Sequence, residues 1–285
     1  MASNPVFDRI EKDSRQGYAG FGRGPQQPTA GMSGTDAMSS QQLQDLYNQP
    51  AAGPVQSRRI TIDDVVMKTT GLFAIVVVVG AIAWQLTPQL GALLMMAGIA
   101  ATLVLGLVIA FKKTISVPLI VAYAVFEGVL VGSISRFYAA AFPPEPGAGI
   151  LQGIVPQAIL ATLSVFAGML LAYKTGIIKV TAKFRRIVTM AVIGYAIFAL
   201  INLVYALVTN TAFGIGGSGA LGIGISLFAI GLASAMLALD FDSIDKAIAA
   251  GAPEKYSWLL AHGLIVTLVW LYLEILRLLG RLRSE

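Results

Sequence analysis

The chain has 285 residues, of which 56% are hydrophobic and 12% charged, with a net charge of +5. That is about half the charge of an ordinary globular domain. The absence of cysteine and the single histidine, His262, exclude disulfides, thiolate metal sites, cysteine nucleophiles, His–His metal clusters and the HExxH zinc motif. The modest positive balance fits basic loops beside a membrane better than a nucleic-acid surface, so no nucleic-acid partner is expected.

Residues 1–59 differ in material from the rest. Gly20–Ala30 and Ser33–Gln44 are rich in Gly, Gln, Pro, Ser and Ala and have no periodicity. Such a segment buries too little apolar area to offset its ordering entropy, so a disordered cytoplasmic tail is expected. Docking or modification at Asn4–Phe7 or at the Tyr18/Phe21 pair is the alternative to a passive tail. No apolar run follows the first residues, so a signal peptide is not expected.

Residues 60–285 read as one transmembrane domain. Thr61 is a plausible N-cap, and Asp63 and Asp64 suit the positive end of a helix dipole. Seven apolar helices are predicted at about 65–86, 89–111, 116–140, 149–173, 185–209, 214–239 and 255–279. Each can cross a hydrocarbon core, which takes about 20 residues at about 1.5 Å rise. Thr87-Pro88, Phe142–Gly149 and Gly214–Gly219 carry turn chemistry between them. The fold class is therefore an all-α membrane protein, a seven-helix bundle whose first partner is the lipid bilayer.

Basic residues set the expected orientation. Arg58, Arg59 and Lys68 lie at the first helix, Lys112 and Lys113 between the second and third, Lys174 to Arg186 between the fourth and fifth, and Lys246 and Lys255 between the sixth and seventh. The opposite loops hold only Arg136 near one edge. That asymmetry places the N-terminus in the cytoplasm of a plasma-membrane protein. Parity sends the C-terminus outside despite Arg277, Arg281 and Arg283. A full crossing of the last helix is expected, with a partly re-entrant helix as the alternative. Gly222, Gly224 and Gly231 suggest close helix packing in the sixth segment.

The polar groups inside apolar runs are the functional candidates. Glu127 sits mid-helix in the third segment, where a carboxylate is costly unless it faces protein or water, so it is assigned to an ion or proton path or to a structural hydrogen bond. Asp240, Asp242 and Asp245 arrive where the sixth helix is expected to reach the cytoplasm. Acids at the negative end of a helix dipole are unfavourable, so they read as a cation-binding or pore-closing cluster, or as the start of a solvated loop. Glu274 pairs with Arg277 three residues on, and shares a face with Thr267; His262 lies about 120° around from Glu274. Gly224-Ile225-Ser226 with His262 is superficially similar to an intramembrane serine-protease dyad, but the loop and arginine context are missing, and an enzyme is not expected.

Glu127-Gly128 followed by Gly132, Asp240-Phe241-Asp242-Ser243 leading through Tyr256 and Trp258, and Val266–Glu274 together resemble the Bax inhibitor/YccA-like family. Ser3–Phe7, Thr61–Val66 and Phe184-Arg185-Arg186 are similar to its actinobacterial branch. The resemblance implies six helices around a central seventh and a pH-modulated calcium leak, with Ca2+ as the transported ion and no other cofactor. It also implies a carboxylate pair, one from the sixth helix and one from the seventh, sharing a proton in the closed state. Asp242 takes the sixth-helix position by the Phe-Asp-Ser match. Counting from Trp258 puts the seventh-helix position on Thr267, which cannot ionise, so Asp240 or Glu274 is the substitute or the gate is lost. The alternative function is a non-conducting modulator that binds other membrane proteins, such as a membrane protease, in stress-response quality control.

Overall fold

The computed structural model describes residues 58–147 and 149–284. The tail expected over 1–59 therefore lies outside the described residues except for Arg58 and Arg59. The described residues form six helices: α1 (Ile62–Phe111), α2 (Val117–Ala141), α3 (Ile154–Lys174), α4 (Ala182–Thr209), α5 (Ala220–Ala249) and α6 (Tyr256–Leu282). All six are long and apolar enough to cross a membrane.

α1 opens on a capping box. The Thr61 hydroxyl accepts from the Asp64 amide at 3.2 Å, and the Asp64 carboxylate accepts from the Thr61 amide at 3.0 Å, which satisfies two otherwise orphaned donors. The helix then continues for 50 residues, about 75 Å if straight and more than twice the hydrocarbon thickness. It is not straight. Pro88 lies inside it, and Leu90 has non-helical angles (φ −124°, ψ 17°). The Thr87 hydroxyl bonds the Ala83 carbonyl at 2.6 Å beside this break.

The register against α2 shows how far the chain turns. Before the break, Val76 meets Gly128 and Gly80 meets Gly132, so residue numbers rise together. After it, Gly98 meets Leu130 and Gly106 meets Tyr123, so they run in opposition. The two limbs of α1 therefore lie against the same stretch of α2 in opposite senses. Glycine permits the first approach: a Cβ on Gly132 would sit 2.2 Å from the Gly80 carbonyl oxygen. Two separate helices are predicted here, at 65–86 and 89–111. The structure breaks α1 at the same place into two limbs close to those bounds, with the non-helical angles confined to Leu90.

The largest boundary correction concerns α5. Its predicted range, 214–239, is displaced at both ends. Gly214, Gly216 and Gly217 have positive φ and form the loop before the helix. At the other end the helix runs ten residues further, to Ala249. The acidic run from Asp240 is thus inside α5 and not at its dipole-negative end, because its side chains find partners among neighbouring helices.

α6 is the most buried helix. Two thirds of its apolar window is enclosed, against 11% for α4. It packs on α1, α2, α3 and α5. Its start lies by the Arg58–Ile60 segment, where the Ile60 amide donates to the Ala252 carbonyl and the Glu254 amide to the Arg58 carbonyl, at 2.8 and 2.7 Å. Its end lies by the opposite connections: Arg281 donates to the Phe213 carbonyl at 3.3 Å, and Arg283 to the Gln152 carbonyl at 3.0 Å. α6 therefore runs from one end of the bundle to the other.

Candidate functional site

The bundle interior holds two polar neighbourhoods along α6. In the first, Glu127 of α2 is buried at 3% exposure. Its Oε1 accepts from the Tyr123 hydroxyl at 3.3 Å, one turn back on the same helix. Its Oε2 has no hydrogen-bond partner among the described residues. The Tyr123 ring meets His262 of α6 edge to face, with centroids 4.5 Å apart.

Asp240 approaches the same region from α5 and is 5% exposed. It meets Thr267 of α6 on the lining of one cavity. Its Oδ2 has no partner among the described residues. The Thr267 hydroxyl also reaches the Gly263 carbonyl at 3.1 Å. Tyr123, Asp240, His262 and Thr267 all line one cavity of about 320 Å³, whose remaining wall is apolar, from Ile109 to Val266. A void of this size holds about ten waters at about 30 Å³ each. Two buried carboxylate oxygens without partners thus lie on or next to one cavity, whereas buried polar groups are ordinarily satisfied.

The other two acids of the run point elsewhere. Asp242 ion-pairs with Arg185 of α4, and with Lys246 one turn on at 2.8 Å. Asp245 accepts from the Tyr173 hydroxyl of α3 at 2.9 Å. At about 100° per residue, Asp240 and Asp242 are about 200° apart, so only one can face α6. The helix-5 acid opposite Thr267 is Asp240 and not Asp242, the residue matched by its Phe-Asp-Ser context. Asp240, Asp242 and Asp245 do not converge, and among the described residues no group of three His, Asp or Glu side chains forms a metal cluster.

Glu274 belongs to the second neighbourhood, seven residues beyond Thr267. It accepts from the Tyr195 hydroxyl of α4 at 2.6 Å, from Trp270 Nε1 at 3.3 Å, and from Arg277 on both oxygens at 3.2 Å. Spacing along the chain predicts only the Arg277 contact. Tyr195 came from another helix, and no spacing rule within the chain could have found it. Tyr123 was legible, because it precedes Glu127 by four residues on one helix face. Arg281, read only as a C-terminal basic residue, is 1% exposed and donates to the Gly222 carbonyl and to Ser226 Oγ at 3.0 Å. Ser226 thus pairs with Arg281, while His262 faces the cavity.

A family model described as Bax inhibitor 1 like matches residues 4–284. No curated protein and no solved structure matches the chain.

Proposed function

Because the chain belongs to the Bax inhibitor 1 like family, we propose that it is a seven-pass plasma-membrane protein that leaks cations, calcium among them, through the cavity beside α6. In this reading the two limbs of α1 are separate passes, α6 is the axis of the bundle, and the basic connections put the N-terminus in the cytoplasm. The observation that supports conduction is the buried Asp240 on the cavity wall, with one oxygen free of partners and Glu127 behind Tyr123. Acids held inside a membrane bundle ordinarily serve ion or proton traffic. Ionised carboxylates and hydroxyls are the ligands that hard cations prefer.

Asp240 and Thr267 also supply a one-acid form of a proton-operated closure. A protonated Asp240 can donate to the Thr267 oxygen and hold α5 to α6; an ionised one can only accept from it. The test is calcium-dye flux in liposomes between about pH 5 and pH 8, the range where side-chain switches operate in cells. Wild-type protein passes calcium above protein-free liposomes, and Asp240→Asn and Glu127→Gln each lower the flux by about tenfold, the kinetic equivalent of about 1.4 kcal/mol. Flux at the protein-free level at every pH, or undiminished in both variants, overturns the proposal.

A further inference from the structure

We infer that the cavity between α1, α2, α5 and α6 is a binding site for a small organic ammonium ion, its charged nitrogen against Asp240 and Thr267 and its carbon body against the apolar wall. The charge count comes first. Among the described residues one carboxylate lines the cavity, and no Lys or Arg does. A buried carboxylate without a balancing charge is costly, and a resident monocation against Asp240 supplies that charge together with N–H donors.

Oxygen count separates the candidate cations. Calcium takes about six to eight oxygen ligands. The side chains lining this cavity provide Asp240, Thr267 and Tyr123, four oxygens in all. A primary ammonium has three N–H donors, which the Asp240 carboxylate and the Thr267 hydroxyl, both on the cavity lining, go far to satisfy. Donation of the Thr267 proton to the Gly263 carbonyl leaves its oxygen free to accept.

The wall favours an organic body over a bare ion. Ile109, Met236, Leu259 and Val266 would face its carbon chain. The volume of about 320 Å³ lies at the small end of ligand sites, which begin near about 300 Å³. An occupant of this kind would sit in the proposed calcium path as a plug. The inference takes the cavity from that reading and does not need the flux.

The probe is n-butylammonium, with 1-butanol as its neutral counterpart, added to the full chain in detergent micelles while thermal unfolding is followed. Butylammonium raises the melting temperature saturably and 1-butanol does not. Asp240→Asn weakens the apparent affinity by about tenfold or more, as expected for loss of a charge-assisted hydrogen bond. Gly263→Leu serves as the second variant. Gly263 lines the cavity and a Cβ there meets nothing within 4 Å, so a side chain at this position starts into open space; it abolishes the response. Equal stabilisation by 1-butanol, no response in the wild type, or an unchanged response in either variant overturns the inference. A chain that binds the amine without passing calcium keeps the inference and loses the leak. One that passes calcium and ignores the amine does the reverse.

Discussion

Around Glu274 both carboxylate oxygens are occupied, by Tyr195, Trp270 and Arg277, whereas around Thr267, two turns earlier on α6, Asp240 keeps one oxygen without a partner among the described residues and the helices leave a cavity. Both acids are almost fully buried. What separates them is satisfaction. A saturated acid lowers the energy of one packing arrangement and joins α4 to α6. An unsaturated one stores a cost that a ligand, a proton or water can relieve.

The sharpest way to break this comparison is to remove each acid and measure stability. Glu274→Ala leaves three donors, one of them cationic, without their acceptor. The Arg277 side chain is 33% exposed and can turn to water, but a buried donor left unsatisfied costs about 1 to 3 kcal/mol. With Tyr195 and Trp270 both stranded, thermal unfolding in detergent shows a large fall in melting temperature. Asp240→Asn keeps the shape and removes only an unpaired charge, and its melting temperature stays at or above that of the wild type. If Asp240→Asn destabilises as strongly as Glu274→Ala, the distinction between a structural and a ligand-receiving acid fails.

A second contrast concerns the glycines of α2. Gly132→Ala places a Cβ 2.2 Å from the Gly80 carbonyl oxygen, a backbone atom that cannot swing aside. Overpacking of this kind costs about 1 to 3 kcal/mol. Gly194→Ala on α4 meets nothing within 4 Å and exchanges glycine for a better helix former, a gain of about 0.5 to 1 kcal/mol. Melting temperatures move in opposite directions for the two. The Gly132 variant also bears on the site, because the same contact seats α2, and with it Glu127, against α1.

How much of this was legible in advance follows from which interactions are local. The apolar segments, the Thr61 cap and the break at Pro88 depend on residues adjacent in sequence, and hydropathy with turn chemistry located them. The Tyr123–Glu127 bond is a one-turn relation within a helix and was open to the same reasoning. The end of α5 was misplaced because Asp240, Asp242 and Asp245 look like a loop until Thr267, Arg185 and Tyr173 arrive from three other helices. The meeting of Thr267 and Asp240 at one cavity depends on the rotation of α5 about its axis, which tertiary packing decides. A cavity is a property of spacing between helices and leaves no mark on any one of them.

Tyr123→Phe tests the site at smaller amplitude. It deletes one hydrogen bond to Glu127 Oε1 and keeps the ring against His262. The loss leaves Glu127 with neither oxygen bonded among the described residues, at a cost of about 1 kcal/mol. A modest fall in melting temperature is expected, with butylammonium binding preserved because the charged contact is at Asp240. Loss of binding in this variant would move the ligand's nitrogen toward Glu127.

The smallest effect belongs to Lys246. Its side chain is 62% exposed, and its partner Asp242 retains Arg185 when Lys246 is cut back. An exposed i,i+4 pair on a helix contributes about 0.3 to 0.5 kcal/mol and is weakened further by salt. Lys246→Ala therefore shifts the melting temperature barely above measurement error, and the shift shrinks as ionic strength rises. Calcium flux and butylammonium affinity stay at wild-type values, since Asp242 faces α4 and the cavity faces α6. A marked change in either would mean that the ion pair at α4 and the cavity acid two residues earlier on α5 act as one unit. The opposition between satisfied and unsatisfied carboxylates would then have to be redrawn around α5 instead of α6.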